Sequence, residues 1–355
     1  MNPFKFGVLV DNEFFTDRVN ELREVQQTLN SENHLIIISP RRFGKSSLVA
    51  KAVKASERPC ISLNMQNMLS IDDFASKLLR GLFRLFPMER IKHLMTHFRV
   101  VPMVSTNPVT NGVEVSFQPV VNSMVLLEDA MALIEKVSTE EKRLVVVLDE
   151  FQEILNIRKG LDKQLRSIMQ EQEHLNYILL GSQESMMTEI FERKKSPFYH
   201  FGKLMHLDKI PYEDFKEYIY TRLPLKEQDR LQGIVKEILA FTSLHPYYTQ
   251  QLSSQVWDMM TYDNLVDGVV GEAVSKIVCT HDLDFERLWL NFNRTDRSIM
   301  MSLSKNANPL QNRQIATSTS FSGIKRLMKN GYVIRVNDYE IEDPFFKEWI
   351  IRYCN

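Results

Sequence analysis

The sequence predicts an α/β fold: a parallel five-stranded sheet with crossover helices over residues 1–210, a helical lid over 211–285 and a C-terminal winged helix over 286–355. Three observations carry that expectation. Short apolar runs of strand length alternate with longer, helically spaced segments through roughly the first 210 residues, as in strands joined by helices. Beyond Pro211 apolar residues recur at helical spacing, and the chain then closes on short helices followed by a hairpin signal.

The strands are expected at Leu35–Ile38, 60–63, 144–148, 177–180 and 204–207. The third is the most apolar and therefore the best candidate for burial on both faces. Between the second and third strands, Val113, Val115 and Phe117 alternate with polar residues after the turn dipeptide Asn111-Gly112. That pattern predicts an inserted hairpin at about 98–119. Helices follow at 212–222, 226–242 and Pro246–Tyr262, with Pro224 and Pro246 as breaks. Further helices are expected at 296–303, 313–316 and 321–330, then a hairpin from 332–336 to 339–342 around Asn337-Asp338. Three helices and a hairpin suggest the winged helix.

The chain has 355 residues, a formal charge of −1, 44% hydrophobic and 25% charged residues. Those are values of an ordinary globular protein, long enough for more than one domain. A near-neutral total argues against coating nucleic acid by charge alone. Cys60, Cys279 and Cys354 are odd in number and scattered, so neither a disulfide framework nor a cysteine metal cluster is expected, which fits a reducing compartment. Asp11 and Glu13 interrupt the N-terminal region where a signal peptide needs apolar residues, and no segment approaches the ~18 apolar residues of a membrane span. A cytoplasmic protein with no membrane partner is expected.

The segment 34–48 reads strand, loop, helix. Ser39, Pro40, Arg41, Arg42, Phe43, Gly44, Lys45 and Ser46 have the Walker A spacing, with serine in the place of the first glycine and Ser47 following. Backbone N–H groups of such a loop and of the first helical turn point at phosphate oxygens, and the helix dipole favours their charge. Gly44 allows close approach, Lys45 is expected to reach the β- and γ-phosphates, and the Ser46 hydroxyl to ligate Mg²⁺. A side chain at Ser39 would strain the turn if the backbone there needs a positive φ.

A second element completes the chemistry. The run 143–150 ends a buried strand in two adjacent carboxylates. Asp149 is expected to hold the Mg²⁺ shell and Glu150 to orient or deprotonate a water attacking the γ-phosphate.

With these motifs the chain resembles the STAND-type P-loop ATPases related to AAA+ proteins, within them the archaeal-type ATPase family, over essentially its whole length. The resemblance implies a P-loop NTPase fold of AAA+ type, ATP and Mg²⁺ as cofactors, and ATPase activity. An Asn-Pro-Phe opening precedes a box containing Phe15, Arg18, Glu21 and Leu22, which the resemblance assigns to the adenine pocket. From the residues alone that segment is a helix start capped by Thr16 or Asp17. The family's polar sensor after the fourth strand corresponds to Ser182, with Gln183 beside it; from the residues alone Ser182 is equally a helix N-cap. Where the family carries Gly-Arg near the fifth strand, this chain has Gly202-Lys203, so Lys203 is the candidate γ-phosphate sensor, without the bidentate fork of an arginine. The family's Gly-His-Pro-Tyr-Tyr segment becomes Leu244-His245-Pro246-Tyr247-Tyr248, which places His245 and Pro246 against the nucleotide.

Two other signals carry little. His93 and His97 have helical i, i+4 spacing but lack the glutamate of a zinc protease, so no metal site is expected there. Methionine pairs such as Met186-Met187 and Met259-Met260 read as core filler. Residues 290–355 hold ten Lys and Arg against six acids, an excess of four positive charges. Arg313, Lys325, Arg326 and Lys329 are therefore candidate duplex-DNA contacts, the last three on the recognition helix of the winged helix. The resemblance offers the alternative that this module packs on the ATPase or binds a protein. The leading expectation is a slowly hydrolysing, Mg²⁺-dependent ATP switch forming nucleotide-dependent homo-oligomers. The rival is a winged-helix DNA-binding regulator with ATP as a structural or allosteric ligand; a P-loop kinase is disfavoured by Glu150.

Overall fold

The computed structural model describes residues 1–8, 14–16, 18–87, 91, 93–94, 102–107, 112–117, 123–182, 184–311 and 316–354. The chain divides into two compact units: Val19–Ser39 with Leu48–Leu207, and Met1–Arg18 with Pro40–Ser47 and Asp208–Asn355.

In the first unit the strands are, in chain order, β1 (Leu35–Ile38), β2 (Cys60–Asn64), β3 (Pro102–Asn107), β4 (Gly112–Phe117), β5 (Leu144–Asp149), β6 (Leu175–Gly181) and β7 (Lys203–His206). Five of them form one sheet in the order β2-β5-β6-β1-β7, every pairing parallel. The burial follows from the composition. β1 and β6 are buried throughout and β5 everywhere except at Asp149, as continuous apolar runs covered on both faces must be. The edge strands bury Ile61 and Met205 but turn Ser62 and Leu204 outward.

Helices Ile71–Leu85 and Ser123–Val137 supply much of the cover. The first places Ile71, Phe74, Ala75, Leu78, Leu79 and Leu82 on one buried stripe, and Ser70 starts it by accepting from the Asp73 N–H at 3.1 Å. β3 and β4 pair antiparallel, with Asn107 opposite Gly112, as the inserted hairpin required. The Asn111 that helped to predict its turn lies outside the described residues, as do His97, Asp17, Gln183 and Arg313.

β6 begins two residues earlier than the apolar run suggests, because a polar residue belongs to it. Asn176 is 1% exposed, yet it donates to the Ser31 and Asn33 carbonyls at 2.9 Å each and accepts from Arg58 Nη2 at 2.5 Å. A buried side chain with every polar atom paired is tolerated inside a strand.

The second unit is helical: Tyr212–Tyr220, Gln228–Thr242, Pro246–Tyr262, Val269–Thr280, Asp282–Asn291, Arg294–Ser304, Thr317–Lys329 and Pro344–Tyr353, with a hairpin of β8 (Val333–Arg335) and β9 (Tyr339–Ile341). One apolar core runs through it, from Phe215 and Leu252 to Ile324, Phe345 and Trp349. Its N-terminal segment is tied in by Asn2, whose Nδ2 donates to the Ser254 carbonyl at 3.0 Å and to Asp258 Oδ1 at 3.0 Å. The closing helix follows the expected hairpin and has a strong start signal. Pro344 occupies its first turn, and Asp343 Oδ1 accepts from the Phe345 and Phe346 N–H groups at 2.8 and 3.2 Å. No helix among the described residues is long and apolar enough to cross a membrane.

Candidate nucleotide site

In the sheet register Ile38 lies opposite both Gly181 and His206, and Leu148 lies opposite Leu179. The carboxyl ends of β1, β5, β6 and β7 therefore share one edge, where ligands of open parallel sheets bind. Ser39 continues β1, is 3% exposed, and donates its N–H to the Gly181 carbonyl at 3.3 Å. It is absent from the residues with positive φ. The serine in the first glycine position is therefore unstrained: it extends a ladder, where any L-residue fits.

The left-handed positions of the loop fall later, at Arg42 (φ 62°) and Gly44 (φ 89°). Glycine adopts this conformation freely; for Arg42 the surroundings must enforce it. Lys45, 6% exposed, opens helix Lys45–Ser56 and donates from Nζ to the Pro40 carbonyl at 2.9 Å. Phe43 is 1% exposed and meets the His245 ring edge-on at 4.9 Å between centroids. Arg18 Nη2 donates to the carbonyls of Phe43 (3.3 Å) and Asp208 (2.6 Å). Within the box, Arg18 thus braces the loop at Phe43; Phe15 is half-buried, and Thr16 Oγ1 accepts from Gln250 Nε2 at 3.1 Å.

Arg42 is held by residues far away in sequence. Its Nη1 donates to the Tyr248 hydroxyl at 2.5 Å and lies 3.9 Å from Glu342 Oε1, and the guanidinium sits 4.7 Å from the Tyr247 ring centroid. Tyr248 in turn donates to Glu342 Oε2 at 2.7 Å, and burial drives its phenol well above the usual range. His245 Nε2 is 3.5 Å from Glu342 Oε1, an electrostatic contact with no formed hydrogen bond. Burial pushes the His245 pKa down, against the pull of Glu342. Pro246 takes the first turn of the helix that follows, and the two residues before His245 are left-handed, Ser243 at φ 48° and Leu244 at φ 63°. Here the missing glycine does carry a cost, about 1 kcal/mol for a branched side chain in that region.

The carboxylates sit on the sheet. Asp149 ends β5 and its Oδ1 accepts from the Glu150 N–H at 2.9 Å. Glu150 is itself left-handed, at φ 53°, and its Oε2 accepts from Ser182 Oγ and Gln152 Nε2, each at 2.5 Å. Ser182, 8% exposed, stands one residue beyond β6, so the two neighbouring strands bring Glu150 and Ser182 together. Gln152 is fully buried. The one mark it leaves in the sequence is its position two residues beyond the acid pair.

Other candidates lie elsewhere. Lys203 starts β7 opposite Leu35, at the amino end of the sheet, and its Nζ pairs with Glu24 at 3.0 Å. The structure does not bring it to the edge where the phosphate loop begins. Gly202 before it has a packing reason, since a Cβ would stand 2.6 Å from the His34 carbonyl oxygen. On helix Thr317–Lys329, Arg326 grips the buried Asp296 through Nη2 at 2.5 Å and Nε at 3.3 Å, while Lys325 and Lys329 are exposed.

A strand, a lysine-bearing loop and a helix, with an acid pair ending another strand of the same sheet, define a P-loop nucleoside triphosphatase of AAA+-like fold. The chain belongs to the family of ATPase domains found predominantly in Archaea, whose model matches residues 15–238, and it is an ATP-binding ATPase. Among solved structures it is similar to the Walker-type ATPase PABY2304 of Pyrococcus abyssi, at TM-score 0.67 and 14% identity over 98% of this chain and 99% of that one. It is also similar to the ORC2 protein of Aeropyrum pernix in its ADPNP-ADP complexes, at TM-score 0.58 and 15% identity over 98% of each chain. A third is the ORC1 protein of the same organism in complex with DNA, at TM-score 0.50 and 12% identity over 95% and 92%. These likenesses are likenesses of fold. No curated protein matches the chain.

Proposed function

We propose that the chain is a slowly hydrolysing, Mg²⁺-dependent ATP switch of the STAND type, acting in the cytoplasm. The observation that carries the hydrolytic part is Glu150, a carboxylate fixed by Ser182 and Gln152 beside Asp149 at the carboxyl edge of the sheet. Backbone N–H groups from Arg41 to Ser47 and the amino end of helix Lys45–Ser56 bind the phosphates, and Lys45 neutralises the terminal one. Glu150 orients the attacking water, and the Ser182 hydroxyl keeps that carboxylate in place. Phe43, Arg18, His245 and Pro246 shape the loop and its surroundings.

The Ser46 hydroxyl and Asp149 would hold Mg²⁺. They are hard oxygen donors, and the described residues contain no cluster of three or more His, Cys, Asp or Glu. That fits an ion which uses one or two protein oxygens and completes its shell with water and phosphate. When bound, it neutralises charge developing on the phosphate oxygens.

The switch part rests on Arg42, a phosphate-loop residue bonded to Tyr248 and paired with Glu342 of the C-terminal hairpin. A change at the phosphates thereby has a route to residues 245–248 and 339–343. We read residues 1–210 as the ATPase core, 211–285 as the lid and 286–355 as a winged helix. The partner of that last part is duplex DNA or a protein, with nucleotide-dependent self-association. Arg326 is committed to Asp296, so a DNA face would rely on Lys325 and Lys329, which weakens the regulator reading.

Glu150→Gln should retain ATP affinity in a direct titration while phosphate release falls by roughly a thousandfold. Unchanged turnover in that variant would remove Glu150 from the mechanism.

A further inference from the structure

We infer that Glu342, in the C-terminal hairpin, is a specificity-determining residue for the nucleotide: it competes with the terminal phosphate for Arg42 and so limits the preference for ATP over ADP. This rests on the reading of residues 39–47 as the phosphate-binding loop.

Arg42 stands three residues before Lys45 in that loop, in a left-handed conformation that a non-glycine residue adopts only when its surroundings hold it there. The holding groups are Tyr248, at 2.5 Å, the Tyr247 ring, and Glu342, at 3.9 Å. A guanidinium is a planar fork that fits a carboxylate and a phosphate equally well, so the two acceptors are alternatives for one donor. The Glu342 contact is long for an ion pair and therefore exchangeable. A cavity of about 210 Å³, lined by Arg41, Arg42, Tyr248, Tyr332, Glu342 and Asp343 among others, gives the Arg42 side chain space to move.

Glu342 needs a cation more than a surface acid does. It is 9% exposed, and its remaining partners are the Tyr248 hydroxyl and the His245 ring, which burial keeps from charging. Asp343 beside it is half-buried, and desolvation together with the Glu342 charge raises its pKa to about 6. Of the lysines nearby, Lys209 is taken by Glu340 at 2.5 Å and Lys347 donates to Asn306 Oδ1 at 2.7 Å. Among the described residues Arg42 is thus the ion-pair partner of Glu342 that carries charge at neutral pH. Drawing it onto a phosphate leaves a buried carboxylate under-compensated, and that penalty is subtracted from the binding of any nucleotide that recruits Arg42. ATP has the terminal phosphate to recruit it; ADP does not.

The test is a double-mutant cycle on the whole chain, with Kd for MgATP and MgADP measured by direct titration. Wild type and Lys45→Ala come first. If wild type fails to bind ATP, or Lys45→Ala binds as well as wild type, the phosphate-loop reading itself fails. Given normal wild-type binding, Glu342→Gln should tighten ATP roughly three- to tenfold with ADP unchanged. Glu342→Asp, which keeps the charge, should leave the ATP/ADP ratio near the wild-type value. Arg42→Ala should weaken ATP and spare ADP, and adding Glu342→Gln to Arg42→Ala should change neither affinity. Equal shifts for ATP and ADP in Glu342→Gln, or an undiminished Glu342→Gln effect without Arg42, would make Glu342 a structural residue only. If Glu342→Gln does not fold, the Glu342→Asp and Arg42→Ala results decide: loss of ATP preference in Arg42→Ala with retention in Glu342→Asp supports the assignment, and any other pairing overturns it.

Discussion

The two units position their candidate site residues by different means. In the sheet unit Asp149, Glu150 and Ser182 stand at the ends of adjacent parallel strands, β5 and β6, which are buried along almost their whole length. Their geometry follows from strand register, and apolar burial secures that register. In the helical unit the phosphate-loop residue Arg42 is placed by side-chain bonds to Tyr248, 206 residues away in sequence, and to Glu342. The proposed hydrolytic geometry is thus built on backbone hydrogen bonds, which are cooperative. The setting of Arg42 depends on a few polar contacts that can be exchanged one at a time, as a responsive element requires.

If that contrast is right, changes in the sheet unit should act on turnover and changes in the helical unit on affinity. Glu150→Gln should show the largest effect, the thousandfold loss of phosphate release at unchanged ATP affinity. Lys45→Ala is next: losing a charged donor to phosphate should weaken ATP roughly 100-fold in direct titration. Ser182→Ala should lower kcat roughly tenfold with little change in KM, the scale of one hydrogen bond to a charged group. An equal rise in KM would mean that Ser182 positions nucleotide instead of Glu150.

A stability change comes next. Asp296→Ala leaves Arg326 without its bidentate partner and removes a buried acid that accepts two hydrogen bonds. Roughly 1–3 kcal/mol should be lost from the helical unit, read as a lower denaturation midpoint.

Acid should separate the units most finely. His34 is stacked on Phe201 at 4.4 Å and accepts the Tyr177 N–H on Nδ1; burial, helped by Arg166, lowers its pKa to about 4. Its contribution is full above about 6.5 and is lost as pH falls towards 4. Asp343 has the opposite sign. With its folded pKa raised to about 6, its contribution is full below the ordinary aspartate value and is lost as pH rises through 6. Between pH 6.5 and 4, hydrogen-exchange protection should fall in β1 and β6 while helix Pro344–Tyr353 is maintained or gains. Parallel loss in both would contradict the assignment, and Asp343→Asn should flatten the response of the helix.

Much of the sheet unit was legible in the sequence, because central parallel strands are apolar on both faces and announce themselves. The departures have specific causes. Asn176 is polar yet buried with its bonds satisfied, so β6 is longer than its apolar run. Lys203 follows a glycine whose role is packing against His34, and strand register puts it at the amino end of β7, opposite Leu35. The loop at 39–47 and the acid pair at 149–150 stand out in the sequence because the spacing of such motifs is fixed by local backbone geometry. The links from Arg42 to Tyr248 and Glu342 were not, since nothing local in a chain marks which distant acid will face an exposed loop arginine. Gln152 stood in plain view, and only its contact with Glu150 gives it meaning.

Hydrogen exchange of Glu150→Gln with saturating MgATP, compared with MgADP, tests the switch most directly. Full binding of both nucleotides should be accompanied by different protection in residues 339–353, with ATP loosening the hairpin and closing helix. Identical protection of that segment in both states, at demonstrated saturation, would contradict it.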